Sequence, residues 1–292
     1  VRSLVVIGNP QAGAAGHGNL AAVVAAIARR HPVRLVDVHD RREVRRALHA
    51  KGRVVIAGGD GTVHAVLQRA HAAGALDRST FAIVPLGTGN DTARGLGIPL
   101  DPIEAAGLAV DGIARRADLL LDDRDRIVVN MAHAGAGAVA AERADSWKER
   151  LGRVAYPLGA LTVGVHPKGW RLRVAVDGSE VVDDTEPALL VAVANGPCLG
   201  GGAPLVPPAV PDDGVLDVVV VHAGGPVLRA SLAAGLRTGG HLDHDGVLHA
   251  RGRRVEITGE PVPYDDDGEI GVERPGRTLR VLPGAWRVVR PR

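Results

Sequence analysis

The chain of 292 residues holds one cysteine, Cys198, one methionine, and few rings: three Trp, two Tyr and one Phe. A lone cysteine excludes an intrachain disulfide and a cysteine-based zinc site, and it suits a reducing compartment. Scarce aromatics leave little surface for stacking bases, so Val, Leu, Ala and Ile must fill the core. An excess of one charge is missing too. The 35 Lys+Arg and 33 Asp+Glu residues leave a net charge of +2, too balanced for a dedicated nucleic-acid binder. No apolar run approaches the ~18 residues of a spanning helix; the longest, such as Leu20–Ala28, are cut short by Arg or Gly. No basic stretch leads into an apolar one at Val1, so no signal peptide is expected. The pattern is that of a cytoplasmic protein, with peripheral membrane contact left open.

Glycine (39 residues) and proline (19 residues) are plentiful, yet they fall short of the roughly 25–30% that marks low-complexity chains. They therefore need local explanations. Ser3–Gly8 is a short apolar run ending at Asn9-Pro10, and Leu20–Arg30 has helical spacing. Val33–Val38 alternates as a strand does, and Asp40 three residues before Glu43 is a capping-box signature. Arg53–Ala57 runs into Gly58-Gly59-Asp60-Gly61-Thr62 and a helical stretch to Ala73; Phe81–Pro85 runs into Leu86-Gly87-Thr88-Gly89-Asn90-Asp91. Repeated strand-helix units predict a doubly wound parallel sheet over residues 1–120, with 286–292 as a candidate return strand. From 121 to 285 the texture changes. Arg126–Met131, Arg171–Val176, Ala188–Ala194, Val215–Val221, Arg254–Thr258 and Thr278–Leu282 read as strands of a mostly antiparallel, β-sandwich-like domain. Helices are expected in it only near Val139–Arg150 and Val227–Thr238.

Ligands of such parallel sheets sit at the carboxyl ends of the strands, where both glycine-rich turns fall. Side-chain-free positions let backbone N–H groups approach phosphate oxygens, and the following helix directs its positive end the same way. Asp60 is the informative residue. A carboxylate beside phosphates is repulsive unless a cation intervenes, which points to Mg²⁺; an ordinary turn with a capping Asp is the alternative. In the second turn Thr88 can donate to a phosphate and Asp91 adds a carboxylate. Asn9-Pro10-Gln11-Ala12-Gly13 is a third candidate wall, and Asp118 could bring another carboxylate.

Gly58–Thr62 with Pro85–Asp91 resembles the diacylglycerol kinase catalytic-domain superfamily, which includes soluble bacterial lipid kinases and the sphingosine and ceramide kinases. The likeness continues through Asn9-Pro10-x-x-Gly13, Leu96–Pro99, Arg115-x-x-Asp118, Asn195-Gly196-Pro197, Gly200–Gly202, Asp212–Asp217 and Asp267-Gly268-Glu269. It implies a Mg²⁺-ATP-dependent kinase acting on a lipid alcohol such as diacylglycerol. Residues 1–120 would bind nucleotide, residues 121–285 would form the substrate domain, and substrate would enter between them. Asn9, Pro10, Gly13, Gly58, Gly59, Asp60, Gly61, Thr62, Thr88, Gly89 and Asn90 would line the ATP site. Asp60, Asp91 and Asp118 would organise the catalytic Mg²⁺ through water. Asp267 and Glu269 would supply the base, without a decision between them, and a structural Mg²⁺ would sit on the Asp213 side chain and the Val210 and Val215 carbonyls. Implied partners are a lipid substrate and the anionic inner membrane face, with no nucleic acid and a homodimer left open.

The chain departs from the family at Ala12, His64 and Ala65, and at Gly135-Ala136-Gly137, where relatives often carry Phe and Asp. Without the resemblance, Asp265–Glu269 and Asp212–Gly214 would read as ordinary turns. Lys148 and Arg150 could face phosphate, although solvated helix faces are commoner. Arg29/Arg30, Arg41/Arg42, Arg45/Arg46 and Arg251/Arg253/Arg254 could meet anionic headgroups if they shared a face. His241-x-x-His244 reads as a turn. A NAD kinase is the enzymatic alternative, sharing the Gly-Gly-Asp-Gly turn, and a catalytically silent lipid- or nucleotide-binding regulator is the alternative from another class.

Overall fold

The computed structural model describes residues 3–10, 20–50, 52–136, 138, 169–224, 235 and 239–292. Gln11, Ala12, Gly13, Gly137, Lys148, Arg150 and the helix expected near Val139–Arg150 lie outside the described residues, as does all but Gly235 of the helix expected near Val227–Thr238. The chain divides into two compact units, one of Val1–Leu119 with Leu282–Arg292 and one of Leu120–Val281.

The first unit is built on short apolar strands β1 (Leu4–Gly8), β2 (Val33–Asp37), β3 (Arg53–Gly58) and β4 (Thr80–Pro85). They pair in parallel in the order β2-β1-β3-β4. The crossovers run through helices α1 (Leu20–Ala28), α2 (Arg41–His49) and α3 (Asp60–Ala72). Val54–Ala57 are all buried, which is why these strands read as unbroken apolar runs rather than alternating ones. Helix α2 opens as expected on Asp40, whose carboxylate accepts the Arg42 and Glu43 amides at 3.0 Å. The reciprocal half of the capping box is missing, because Glu43 pairs with the Arg34 and Arg46 guanidinium groups.

After β4 come α4 (Asp91–Gly95) and α5 (Pro102–Asp111), the latter an addition to the expected elements. Its start signals are local: Asp101 accepts the Ile103 and Glu104 amides at 3.0 and 2.8 Å, and Pro102 opens the helix. Strand β5 (Ile113–Asp122) then carries Asp118. The end of the chain also belongs to this sheet, with Arg287 and Val288 pairing in parallel with Thr80 and Phe81. The buried Trp286 ring lies 5.9 Å from that of Phe81, and its Nε1 donates to the Asp118 carbonyl at 3.2 Å. The Asp118 carboxylate accepts the Gly284 amide at 2.6 Å.

The second unit is antiparallel. Its strands are β6 (Ile127–Val128), β7 (Met131–Gly135), β8 (Leu172–Val176), β9 (Ser179–Val182), β10 (Ala188–Ala194), β11 (Leu216–His222), β12 (Val247–Gly252), β13 (Arg254–Asp266) and the part of β14 (Glu269–Arg290) that precedes Leu282. Neighbours run β12-β11-β10-β7-β13-β14, and β8 pairs with both β13 and β9. The core is the expected Val, Leu and Ala filling, as in the wholly buried β10.

Two strand expectations need correction here. Arg126–Met131 is not one strand, because the amides of Val129, Asn130 and Met131 turn to the Asp267 carboxylate instead of a neighbouring strand. Strand β13 runs on past Thr258, pairing with β8 as far as Gly259 and with β7 from Tyr264. The register shifts between these stretches, where Gly259 has φ +133° and an added Cβ would lie 2.3 Å from the Arg171 carbonyl oxygen. Pro261 follows, with no amide for a ladder.

The Asp118 contact predicts a stability effect. Asp118→Ala should cost about 1–3 kcal/mol by leaving the Gly284 amide without its acceptor, whereas Asp118→Asn, which keeps an acceptor, should cost less. Urea unfolding of both variants measures the difference.

Candidate active site

The two glycine-rich turns of the first unit lie side by side at the carboxyl ends of β3 and β4. Their closest approach is backbone on backbone: a Cβ on Gly87 would lie 2.5 Å from Gly59 Cα, and one on Gly59 would lie 2.9 Å from Gly87 Cα. Gly58 is excluded from carrying a side chain by Thr62, whose Oγ1 would be 2.4 Å away. Gly61 is different, since a Cβ there would meet nothing within 4 Å.

Asp60 opens α3, in the first turn where a carboxylate suits the helix dipole. Its oxygens reach across to the next turn, accepting the Asp91 amide at 3.1 Å and the Thr92 amide at 2.9 Å. It therefore does cap a helix, but α4 rather than its own. Asn90 adopts the left-handed conformation (φ 54°, ψ 38°) that Asn tolerates better than most residues. Its Oδ1 accepts the Gly87 amide at 3.0 Å and its Nδ2 donates to the Gly87 carbonyl at 2.8 Å, so the side chain holds the turn's shape. Asp91 is buried, Thr88 is exposed, and Asn9, Pro10 and Gly89 lie in the turns beside them. His64, one of the departures, is buried within α3.

The second unit brings together Asp267, Glu269 and their surroundings. Asp267-Gly268 forms the tight turn joining β13 to β14, with φ 53° and 91°, and Asp266 pairs with Glu269 across it. The Asp267 carboxylate accepts the amides of Val129, Asn130 and Met131 at 2.7, 2.9 and 3.0 Å. Asn195 Nδ2 donates to the Val129 carbonyl at 2.7 Å, and Asn130 Nδ2 to the Cys198 carbonyl at 2.9 Å. The Asn195-Gly196 motif is thus part of the knot that fixes Asp267. Glu269 is exposed.

Several residues here had no motif to announce them. Arg277, fully buried, pairs with Asp266 and, at 3.3 Å, with Asp122; Arg126 and Arg274 add further pairs to the same carboxylates. Burial pushes the Asp122 carboxyl up, but the Arg126 and Arg124 amides and the Arg277 guanidinium outweigh it and hold it below its usual range. Arg274 and Arg277 also lie over the Tyr264 ring, 5.2 and 5.3 Å from its centre, and burial pushes the Tyr264 hydroxyl up to about 12. Asp265 accepts the Gly268 amide at 2.8 Å, which ties it to the turn bearing Asp267. It faces His133 at 3.8 Å. Burial raises the Asp265 carboxyl above its ordinary range against the pull of His133.

The remaining candidates are placed as follows. Gly135 ends β7 with φ 91°, where a Cβ would lie 2.6 Å from the Leu189 carbonyl oxygen; its glycine is explained by packing. His241 bonds the Leu205 carbonyl at 2.7 Å, and His244 accepts the Gly246 amide at 3.2 Å, so this pair forms a turn. Arg41, Arg42, Arg45 and Arg46 are exposed along α2, whereas Arg251 is drawn into ion pairs with Asp213 and Asp217. Among the described residues, no three His, Cys, Asp or Glu side chains form a group that could hold a metal ion, and no helix is long and apolar enough to cross a membrane.

Residues 3–121 match the diacylglycerol kinase catalytic domain, and residues 130–290 match the YegS C-terminal NAD kinase beta sandwich-like domain. A protein named diacylglycerol kinase from Mycobacterium tuberculosis is 30% identical over 264 residues, covering 88% of this chain and 83% of its own length. "Probable lipid kinase YegS-like" of Pseudomonas aeruginosa is 36% identical over 265 residues, covering 87% and 82%. The crystal structure of a diacylglycerol kinase from Bacillus anthracis str. Sterne superposes with a TM-score of 0.80 at 24% identity, covering 99% of this chain and 96% of that one. A NAD kinase from Archaeoglobus fulgidus in complex with ATP shares the fold more distantly, with a TM-score of 0.54 at 13% identity and 99% and 93% coverage. Two glycine-rich turns joined by an aspartate, on a parallel sheet followed by an antiparallel domain, define a kinase of the diacylglycerol and NAD kinase-like fold. Within that class the chain belongs to the family of diacylglycerol kinases and YegS-like lipid kinases, and it is a lipid kinase.

The raised Asp265 carboxyl predicts a pH effect of definite sign. Its folded-state value lies above the unfolded one, so its contribution to stability is full below the ordinary carboxylate pKa of ~3.9 and is lost as the pH rises through the raised value. Asp265→Asn keeps an acceptor for the Gly268 amide but cannot ionise. Its melting temperature should therefore gain on the parent's across that rise; a difference independent of pH would show that the carboxyl is not shifted.

Proposed function

We propose that this lipid kinase transfers the γ-phosphoryl group of ATP to the hydroxyl of diacylglycerol or a similar lipid alcohol, giving phosphatidic acid or its analogue. The observation that carries the proposal is the joining of the two turns through Gly59, Gly87 and Asp60. It brings the two turns together in one unit, where the turn amides not taken by Asp60 or Asn90, and the open position at Gly61, can cradle phosphate oxygens. The complex of the Archaeoglobus fulgidus NAD kinase with ATP supports the choice of donor, and the relatives named diacylglycerol kinase support the choice of acceptor.

Phosphoryl transfer needs positioning and charge neutralisation more than covalent chemistry. Asn9, Pro10, Gly13, Gly58, Gly59, Gly61, Thr62, Thr88, Gly89 and Asn90 are assigned to the nucleotide. Mg²⁺, when bound, offsets the charge of the phosphates. Asp60 and Asp91 are the carboxylates assigned to hold it through water, since each Asp60 oxygen accepts one amide and keeps a further acceptor direction. Asp118 is assigned to the same region as a positioning residue, its Oδ1 being occupied by Gly284. As the bond from γ-phosphorus to the leaving oxygen breaks and the bond to the lipid oxygen forms, the hydroxyl proton passes to the Asp267–Glu269 pair. The three amides on Asp267 favour an orienting task for it, and the exposed Glu269 is assigned the proton. The arginines along α2 are assigned to anionic headgroups at the inner membrane face.

With Mg²⁺ and labelled ATP, label should enter diacylglycerol in mixed micelles; labelling of NAD in preference to every lipid of a panel would overturn the proposal. Asp60→Asn, whose single side-chain oxygen can accept only one of the two amides, should lose roughly 10²–10³-fold in kcat and melt somewhat below the parent. Glu269→Gln should lose about 10²–10⁴-fold while melting as the parent does, and full turnover by either folded variant would remove that residue from the mechanism.

A further inference from the structure

The loop over residues 210–217 offers a test of the structural Mg²⁺ that the family resemblance implies. The ion would need the Asp213 carboxylate and the Val210 and Val215 carbonyls. In this chain the carboxylate is already engaged on both oxygens: Oδ1 accepts the Val215 amide at 3.2 Å, and Oδ2 is paired with the Arg251 guanidinium. The Val210 carbonyl accepts the Asp212 amide at 2.9 Å. Arg251 is itself pinned, since its Nε donates to Asp217 Oδ1 at 3.1 Å. Asp217 is 1% exposed and takes a second partner in His249 Nε2 at 2.7 Å. The β-register explains the arrangement, for Arg251 of β12 stands directly opposite Asp217 of β11. A guanidinium at that position reaches from the buried carboxylate to the one in the loop.

These residues do not fit a bound divalent ion. Mg²⁺ demands near-octahedral oxygen ligands at about 2.0–2.1 Å, and here it would share one carboxylate with a permanent cation. We infer that Arg251 replaces the metal in this chain: its guanidinium is the resident cation of the 210–217 loop, and the loop holds its shape without an ion. The forked donors of arginine suit the task, because one guanidinium can serve two carboxylates at once. The inference does not rest on the identity of the phosphoryl acceptor or on turnover.

Thermal unfolding of the full chain without nucleotide tests it. The parent should melt at the same temperature in EDTA and in millimolar MgCl₂. Arg251→Gln should melt about 3–6 °C lower in EDTA, through loss of the partner to a buried carboxylate. Arg251→Lys, which keeps a charge but loses the fork, should fall between the two. A parent melting temperature that rises with MgCl₂, in a way abolished by Asp213→Asn, would place a metal in the loop and overturn the inference. So would an Arg251→Gln variant as stable in EDTA as the parent.

Discussion

The contact between Gly59 and Gly87 is the constraint on which the glycine-rich turns of the first unit depend. Two main-chain segments that approach so closely leave no room for a Cβ on either. This proximity puts the Asp60 carboxylate within reach of the first amides of α4. Larger residues at either glycine would push the turns apart and break the link between the two helix starts. Asn90 completes the arrangement by spending its amide group on the Gly87 backbone. A glycine there could adopt the same φ but would supply no such clamp.

Aspartates in both units share a habit: they accept main-chain amides that no helix or strand satisfies. Asp60 does so for α4, Asp118 for Gly284, and Asp267 for three successive residues. Buried amides must find acceptors, and a carboxylate accepts several at once. The same carboxylates that are candidates for the site therefore serve the fold. The second unit adds another layer with Arg277, Asp266 and Asp122, a buried ionic group close in sequence and space to the turn that carries Asp267. Buried pairs of this kind often contribute little net stability, but losing one member leaves an uncompensated charge.

Much of the fold was legible in the chain. Apolar runs ending in Asn9-Pro10 or in the glycine-rich turns named β1, β3 and β4, and Asp40 announced α2. Alternation and turn residues located β8, β10 and β11 to within a residue or two. Helix α5 carries its own signal in Asp101-Pro102, a capping Asp followed by a Pro at the first helical position. The short β6 and the long β13 were not legible, since what ended one and extended the other was a distant partner. Asp267 draws three amides out of the first, and Gly259 lets the second change neighbours.

The site divides along the same line. Sequence by itself determined the family, the parallel sheet with an antiparallel domain after it, and which aspartates and glycines are candidates for the site, because each of these rests on residue order and local backbone preference. Tertiary structure alone decided what those residues touch: that Asp60 caps a helix not its own, that Asp267 is held by three amides, and that Asp213 is met by Arg251. The physical reason is that hydrogen bonds and ion pairs between residues far apart in the chain depend on strand register and close approach, which no short stretch of sequence encodes. Composition could count 35 basic and 33 acidic residues, but only the pairing of β11 with β12 could say which arginine faces which aspartate.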